Sequence, residues 1–447
     1  MSDAQERRRR SSLLRQLRQL MRVDSPALLV ASRLASSALM FVSAPIVARA
    51  IGPQGRGVTS AVVAIAYLLP IVLAFGVPLE LRRRTALGEC DTSTRAARLW
   101  AAVTIVPSVI IAFVLTSTLF GFLAPNERVA VFLCVASAPL TVSWMCDNSV
   151  LVAQGRFRAL VALQIAQPLT YTGLAVMFWL TRTATVSNVI GANLAGTVAT
   201  FVLGLLLNRV TLVGKLAPVK KMARQSIRYA GSAAAEAASN RLDQVMVLPL
   251  IGAYQAGLYS VAASIAALPI AFGHALGAAY FPHVALAAEE SRRDLKASAM
   301  RHSLALGGAV CLLGAMLTPW LMPLLFGREF AGAIVPTVIA LAGSVAMIGA
   351  FVGTQLLGAE GRGLMMTNAQ VAAIAGAVIS LVVLGPPFGA VGAAAASTMG
   401  FIVLLIMVTI GLRIGASRLV PRPDDLRSAL GVLKSGISTT GRDRNEL

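Results

Sequence analysis

Glu236, Asn240 and Asp243 are spaced i, i+4 and i+7 in a run that is otherwise Ala, Ser, Val, Met and Leu. That spacing puts all three on one face of a helix, with Arg241 and Gln244 on the adjoining face. A stripe of this kind cannot face lipid, so it must line a cavity or pack on another polar helix. A carboxylate placed there can take up Na⁺ or a proton and couple movement to an ion gradient. The plainer alternative is that Arg241 neutralises Asp243 or Glu236. Arg33 is a second outlier, a guanidinium inside an apolar run. It is tolerated there only beside an anion, a carboxylate or water, or by snorkelling to the nearer boundary. Asp147 and Asn148 interrupt another apolar run, where Asp147 can partner an arginine at the same depth. His274 interrupts a fourth.

The chemistry the chain omits is equally informative. No G-x-S-x-G, H-E-x-x-H, kinase or dinucleotide signature occurs, so the sequence does not read as an enzyme. Arg49 precedes Gly52-Pro53-Gln54-Gly55-Arg56-Gly57, a tight turn between helices that lacks the lysine of a phosphate-binding loop. The acidic pairs Glu289-Glu290 and Asp424-Asp425 are expected to be solvated charge. The four cysteines are Cys90 in a basic loop and Cys134, Cys146 and Cys311 in apolar runs. They predict neither a disulfide nor a metal site, and no cofactor is expected.

The elements that must position these residues are membrane helices. Of 447 residues, 57% are hydrophobic and 13% charged, against about 25% charged in soluble domains, and the mean hydropathy is +0.75. Apolar runs recur at roughly the 20-residue length that spans hydrocarbon, with no two-residue alternation of a β-barrel. The expected fold is an all-α integral membrane protein of about twelve spans. They fall at 26–51, 57–79, 98–122, 129–151, 159–181, 186–208, 228–252, 256–282, 302–326, 331–357, 364–384 and 389–412. The net charge of +20 sits between the spans and at the two ends. That placement fits anionic phospholipid head groups rather than nucleic acid.

Lys and Arg number 39. Arg49, Arg56, Arg128, Arg182 and Arg328 fall on one side and Arg33 and Arg241 within spans, leaving 32 on the other side. The positive-inside rule therefore makes both termini cytoplasmic. Arg7 to Arg10, followed by Leu13, Leu14, Leu17, Leu20 and Met21 among further arginines, predict a basic interfacial helix within residues 1–25 rather than a cleaved signal. The tail over 413–447 loses the apolar pattern and is expected to be disordered at its end.

The two halves of the chain resemble each other. Ile51, Gly52, Gly57, Ser60, Ile65, Ala66 and Leu68 recur 200 residues later as Ile251, Gly252, Gly257, Ser260, Ile265, Ala266 and Leu268. Leu151, Ala153, Gly155 and Arg156 recur as Leu357, Ala359, Gly361 and Arg362, and Gly191, Ala192, Ala195 and Thr197 as Gly392, Ala393, Ala396 and Thr398. The expected organisation is a six-helix lobe at 26–208, a basic linker at 209–227 and a second six-helix lobe at 228–412. An even number of spans per lobe implies a pseudo-two-fold axis along the membrane normal and a central cavity between rocking halves.

Two blocks carry a resemblance to a known family. The first is Arg33-Leu34, then Ala48-Arg49-Ala50-Ile51-Gly52-Pro53, Gly55 and Gly57. The second is Asn240-Arg241-Leu242-Asp243-Gln244, then Leu250-Ile251-Gly252 and Ala256-Gly257-Leu258-Tyr259. Both resemble the polysaccharide biosynthesis (Wzx-type) oligosaccharide flippases. These belong to the multidrug/oligosaccharidyl-lipid/polysaccharide exporter (MOP) superfamily, which also holds MurJ and the MATE exporters. The resemblance implies alternating access and a polyprenyl-pyrophosphate-linked oligosaccharide as substrate, with Arg33, Arg241 and Arg49 as pyrophosphate-holding cations. Asp243, Glu236, Asn240 and Asp147 would be charge partners or sites for a coupling H⁺ or Na⁺. MurJ-like chains often carry two further helices, and no apolar run follows Leu412. The competing readings are a MATE-like exporter of organic cations, whose cavity should be net acidic, and a transport-dead membrane scaffold.

Overall fold

The computed structural model describes residues 27–209 and 214–435, and every regular element among them is helical. The interfacial helix expected within residues 1–25 and the end of the tail lie outside the described residues. In chain order the α-helices are α1 Ala27–Ala74, α2 Val77–Ala86, α3 Cys90–Val103, α4 Ile105–Ser117, α5 Pro125–Ala136, α6 Ala138–Ala153 and α7 Phe157–Leu180. They continue as α8 Val186–Asn208, α9 Val219–Ala266, α10 Ile270–Leu286, α11 Glu289–Phe326, α12 Ile334–Ala359, α13 Gly363–Leu412 and α14 Asp425–Ser435.

Helices α1 and α9 are each 48 residues long and α13 is 50. Straight, each would extend roughly 70 Å, more than twice the ~30 Å hydrocarbon thickness. Each is broken once by glycine: Gly52 (φ 67°, ψ −179°), Gly252 (φ 79°, ψ 166°) and Gly389 (φ 57°, ψ −131°). Only glycine reaches such backbone angles without strain, so each long helix is two spans joined without a loop. Among the described residues nine helical stretches are long and apolar enough to cross a membrane. Three of these contain a glycine break, and taken as pairs they give the expected twelve.

Two of the repeated blocks also share their local backbone geometry. Gly52 and Gly252 break their helices in the same way. Spans 4 and 10 end in the same turn: Gly155 (φ 67°) and Gly361 (φ 71°) are left-handed. Arg156 N donates to Leu151 O (3.0 Å) and Arg362 N to Leu357 O (2.9 Å). This is the 6→1 closure of a Schellman motif, which needs a glycine at the residue that turns back.

The chain divides into two compact units, Met1–Ile51 with Val62–Ala234, and Gly52–Ala61 with Ala235–Leu447. The first unit packs α2, α3 and α6 around Val77, Leu81, Ala96, Ala97, Cys146 and Val150. The second packs α10 to α14 around Leu276, Met300, Leu356 and Val408. Within the second unit the glycine-break end of span 2 meets that of span 8 without side chains between them. A Cβ on Gly57 would lie 2.0 Å from Ala253 O, and one on Gly257 would lie 1.8 Å from Pro53 O. Positions 53 and 57 are the repeat counterparts of 253 and 257, so the contact is reciprocal, as in a self-complementary interface.

Residues 77–86, expected to end a span and open a cytoplasmic loop, form the short helix α2. Its carboxylate explains why a run of three arginines can be helical. Glu80 accepts from Arg83 Nε (3.1 Å) and Nη2 (2.8 Å) and from Arg84 Nε (2.9 Å). The expectation that Asp424-Asp425 is solvated charge fails at Asp425, which is buried. It accepts from Arg301 Nε (3.2 Å) and Arg422 N (2.7 Å) and lies 3.4 Å from His302 Nε2. It thereby anchors α14, whose Ala429 is also buried. The tail's short amphipathic helix was hidden by its length, which is below the span threshold.

Candidate functional site

The Gly252 break positions the best-defined polar site. Asp243 lies nine residues before Gly252 and Tyr259 seven residues after it. At about 1.5 Å per residue these offsets bring the two side chains to similar depth below the turn. Tyr259 Oη donates to Asp243 Oδ2 and shares a 2.7 Å hydrogen bond with Ser397 Oγ. Ser397 lies eight residues beyond the third break, Gly389, so all three groups sit at a similar offset from a turn glycine. Tyr259 is 2% exposed. The result is a half-buried carboxylate held by a phenol that is itself held by a serine hydroxyl, all oxygen ligands of the kind that take a proton or a hard cation.

Arg241 is half-buried on the adjoining face of α9, and its Nη1 donates to Gln244 Oε1 at 2.9 Å. Glu236 and Asn240 occupy the same helix, two turns and one turn earlier than Asp243 respectively, and their side chains lie outside the described residues. Tyr259 and Ser397 were not assigned roles from sequence. Tyr259 stands in one of the blocks that carry the family resemblance; Ser397, 138 residues away from it, gave no signal.

Asp147 belongs to a separate cluster in the first unit. It is fully buried, and Oδ1 accepts from Asn208 Nδ2 (2.8 Å) and Arg98 Nη2 (3.4 Å). The arginine expected beside Asp147 is therefore Arg98. Gly204, one turn before Asn208 on α8, lets the carboxylate close on that helix: a Cβ there would lie 2.7 Å from Oδ2. His274 stacks edge-on against Phe351, ring centroids 4.0 Å apart.

Arg33 lies on α1, with its side chain outside the described residues, and Arg49 is exposed three residues before the Gly52 break. Sixteen helical residues separate them, about 24 Å along the axis. One diphosphate cannot touch both. Among the described residues no three His, Cys, Asp or Glu side chains gather as metal ligands, and the four cysteines are free.

Membrane-length helices, paired by glycine turns and carrying buried charge deep within them, define a polytopic membrane protein with a transporter fold. The chain belongs to the polysaccharide biosynthesis protein family, whose profile matches residues 23–287, more than half of its length. Among solved structures it is similar to the lipid II flippase MurJ in an inward closed conformation. That match has 12% identity and a TM-score of 0.73 and covers 92% of each chain. It is also similar to an inward-facing MATE family transporter of the MOP superfamily, at 16% identity and a TM-score of 0.67, covering 86% of this chain and 97% of that one. The outward-facing form of a MATE transporter gives 16% identity and a TM-score of 0.51, covering 87% and 92%. No curated protein sequence matches the chain.

Proposed function

We propose that the protein is an alternating-access flippase. It moves a polyprenyl-pyrophosphate-linked oligosaccharide from the inner to the outer leaflet of the bacterial inner membrane, for surface polysaccharide biosynthesis. The observation that carries this reading is the retention of guanidinium groups along membrane spans in a chain of the polysaccharide biosynthesis family. An uncompensated arginine is costly there, and a diphosphate repays that cost with bidentate, charge-assisted hydrogen bonds.

Arg33 and Arg49, on one helix, act at separate depths and not as one clasp. Measured from the glycine that ends its own span, Arg33 lies 19 residues away, Arg241 11 and Arg49 three. These offsets correspond to about 28, 16 and 5 Å of helix. Arg33 and Arg49 offer a diphosphate cations at two depths of one span, and Arg241 offers one on its own span.

Asp243, with Tyr259 and Ser397, serves as the coupling site for H⁺ or Na⁺. When the carboxylate is ionised, the phenol donates to it. Uptake of a proton or a hard cation replaces that bond and changes how the two arms of the Gly252 turn hold each other. Glu236 and Asn240 extend the same polar face. Asp147 is a charge partner for Arg98. The test is transfer of a polyprenyl-diphosphate oligosaccharide between the leaflets of proteoliposomes, with and without an imposed proton or Na⁺ gradient. Transfer of organic cations in place of the glycolipid would favour the MATE-like alternative.

A further inference from the structure

Buried hydroxyls in these helices characteristically donate to the carbonyl one turn back. Thr94 donates to Cys90 O (2.8 Å), Ser108 to Thr104 O (2.7 Å), Thr116 to Ala112 O (2.8 Å) and Ser226 to Met222 O (2.9 Å). Thr85 and Ser93 depart from this pattern. Thr85 is 9% exposed and Ser93 0%, yet neither hydroxyl has a hydrogen-bond partner among the described residues. The two flank the turn between α2 and α3, helices that pack on each other in the first unit. Arg82 Nε, in the same hairpin, is also buried without a partner among the described residues. Arg82 precedes Thr85 by three residues, so the two side chains are neighbours on the helix surface.

The flanking arginines show what Arg82 lacks. Arg83 and Arg84 share the Glu80 carboxylate, and Arg84 Nη2 also donates to Gln225 Oε1 at 2.7 Å. Arg82 stands outside this network at the edge of the buried face of α2, between Pro78 and Thr85. Burial pushes its pKa below the usual value. Arg82 is half-buried, and burying its Nε unpaired is unfavourable, as is leaving the hydroxyls beside it unsatisfied. The guanidinium can only donate and each hydroxyl is able to donate, so the oxygens of a polyoxyanion can satisfy all three.

We propose that Arg82 and Thr85, with Ser93 across the turn, form a phosphate-binding site in the α2–α3 hairpin, separate from the intramembrane arginines. Phosphate supplies the acceptor oxygens that a guanidinium fork and a hydroxyl require. The phosphate belongs to a phospholipid head group, an isoprenoid diphosphate or free diphosphate. The site does not depend on the flippase reading: failed translocation with intact binding would count against that reading alone.

The experiment is calorimetric titration of the full chain in detergent with three soluble probes: inorganic diphosphate, farnesyl diphosphate and dihexanoyl-phosphatidylglycerol. Arg82→Gln should weaken the bound probe about tenfold and Thr85→Val about threefold, in keeping with loss of charge-assisted and neutral hydrogen bonds respectively. Arg293→Gln, which removes an exposed charge in the other unit, should change nothing. Binding confined to phosphatidylglycerol identifies a head-group site. Farnesyl diphosphate binding tighter than inorganic diphosphate identifies an isoprenoid diphosphate, and equal binding of those two identifies the free anion. If Arg82→Gln fails to fold, Arg82→Lys, which keeps the charge and loses the fork, should still weaken binding. The proposal is overturned if no probe binds wild type, or if the Arg82 and Thr85 variants bind as wild type does.

Discussion

Alanine at position 257 tests the packing that the repeat builds. Its Cβ would lie 1.8 Å from Pro53 O, and the reciprocal alanine at 57 would lie 2.0 Å from Ala253 O. Both obstacles are backbone atoms, so no side-chain rotation relieves them. To regain an ordinary contact of roughly 3.5 Å, the helices must part by about 1.7 Å in Gly257→Ala and about 1.5 Å in Gly57→Ala. Overpacking of this kind costs about 1–3 kcal/mol. Both variants should lower the melting temperature of the purified protein, followed by loss of the monodisperse peak after heating. The double variant should cost less than the sum, because one separation relieves both clashes. Gly191→Ala is the control: nothing lies within 4 Å of its Cβ, and alanine is the better helix former. Its repeat counterpart Gly392 is not equivalent, since a Cβ there would meet Leu384 O at 1.9 Å. If Gly257→Ala and Gly57→Ala melt with wild type, the helices are not in backbone contact and the reciprocal crossing is wrong.

Asp147→Leu should destabilise by about 3–5 kcal/mol, because it leaves Arg98 charged and largely buried, whereas Asp147→Asn should cost much less; thermal unfolding separates the two. Glu80 supplies a pH dependence. The hydrogen bond from Arg83 holds its carboxyl below the ordinary value of 4.5. Its stabilisation is therefore complete above that pH and lost as pH falls through the lower native value. Melting temperature should drop on acidification below pH 4.5, and Glu80→Gln should flatten that drop. Tyr259→Phe removes a hydrogen bond to a charged acceptor and should weaken the response of transport to an ion gradient about tenfold, while Asp243→Asn should abolish the response and leave passive exchange.

The spans were legible because hydrocarbon leaves backbone polar groups no choice but helix, so composition alone locates them. The glycine turns were legible in part. Gly52 and Gly252 stand in a repeated block, whereas Gly389 follows Pro386-Pro387, which read as an ordinary helix end. Helix α2 was missed because three arginines look like a loop until Glu80 is seen to bind two of them. The polar stripe of α9 announced a site, but its partners depend on tertiary geometry. Tyr259 reaches Asp243 only because Gly252 reverses the chain, and Ser397 only because a second reversal at Gly389 sets a comparable depth. Asp147 called for an arginine without saying which; Arg98 is selected by the packing of α3 on α6.

The central claim is that intramembrane guanidinium groups carry a diphosphate across the bilayer. The most direct test loads a polyprenyl-diphosphate oligosaccharide into one leaflet of proteoliposomes and follows its exposure to a glycan-cleaving reagent on the other side. Wild type, Arg33→Ala, Arg241→Ala and Arg241→Lys are compared. The account predicts rapid crossing by wild type, loss of at least about tenfold in either alanine variant, and partial recovery with lysine, which keeps the charge but not the fork. Wild-type crossing that survives both alanine variants would contradict it.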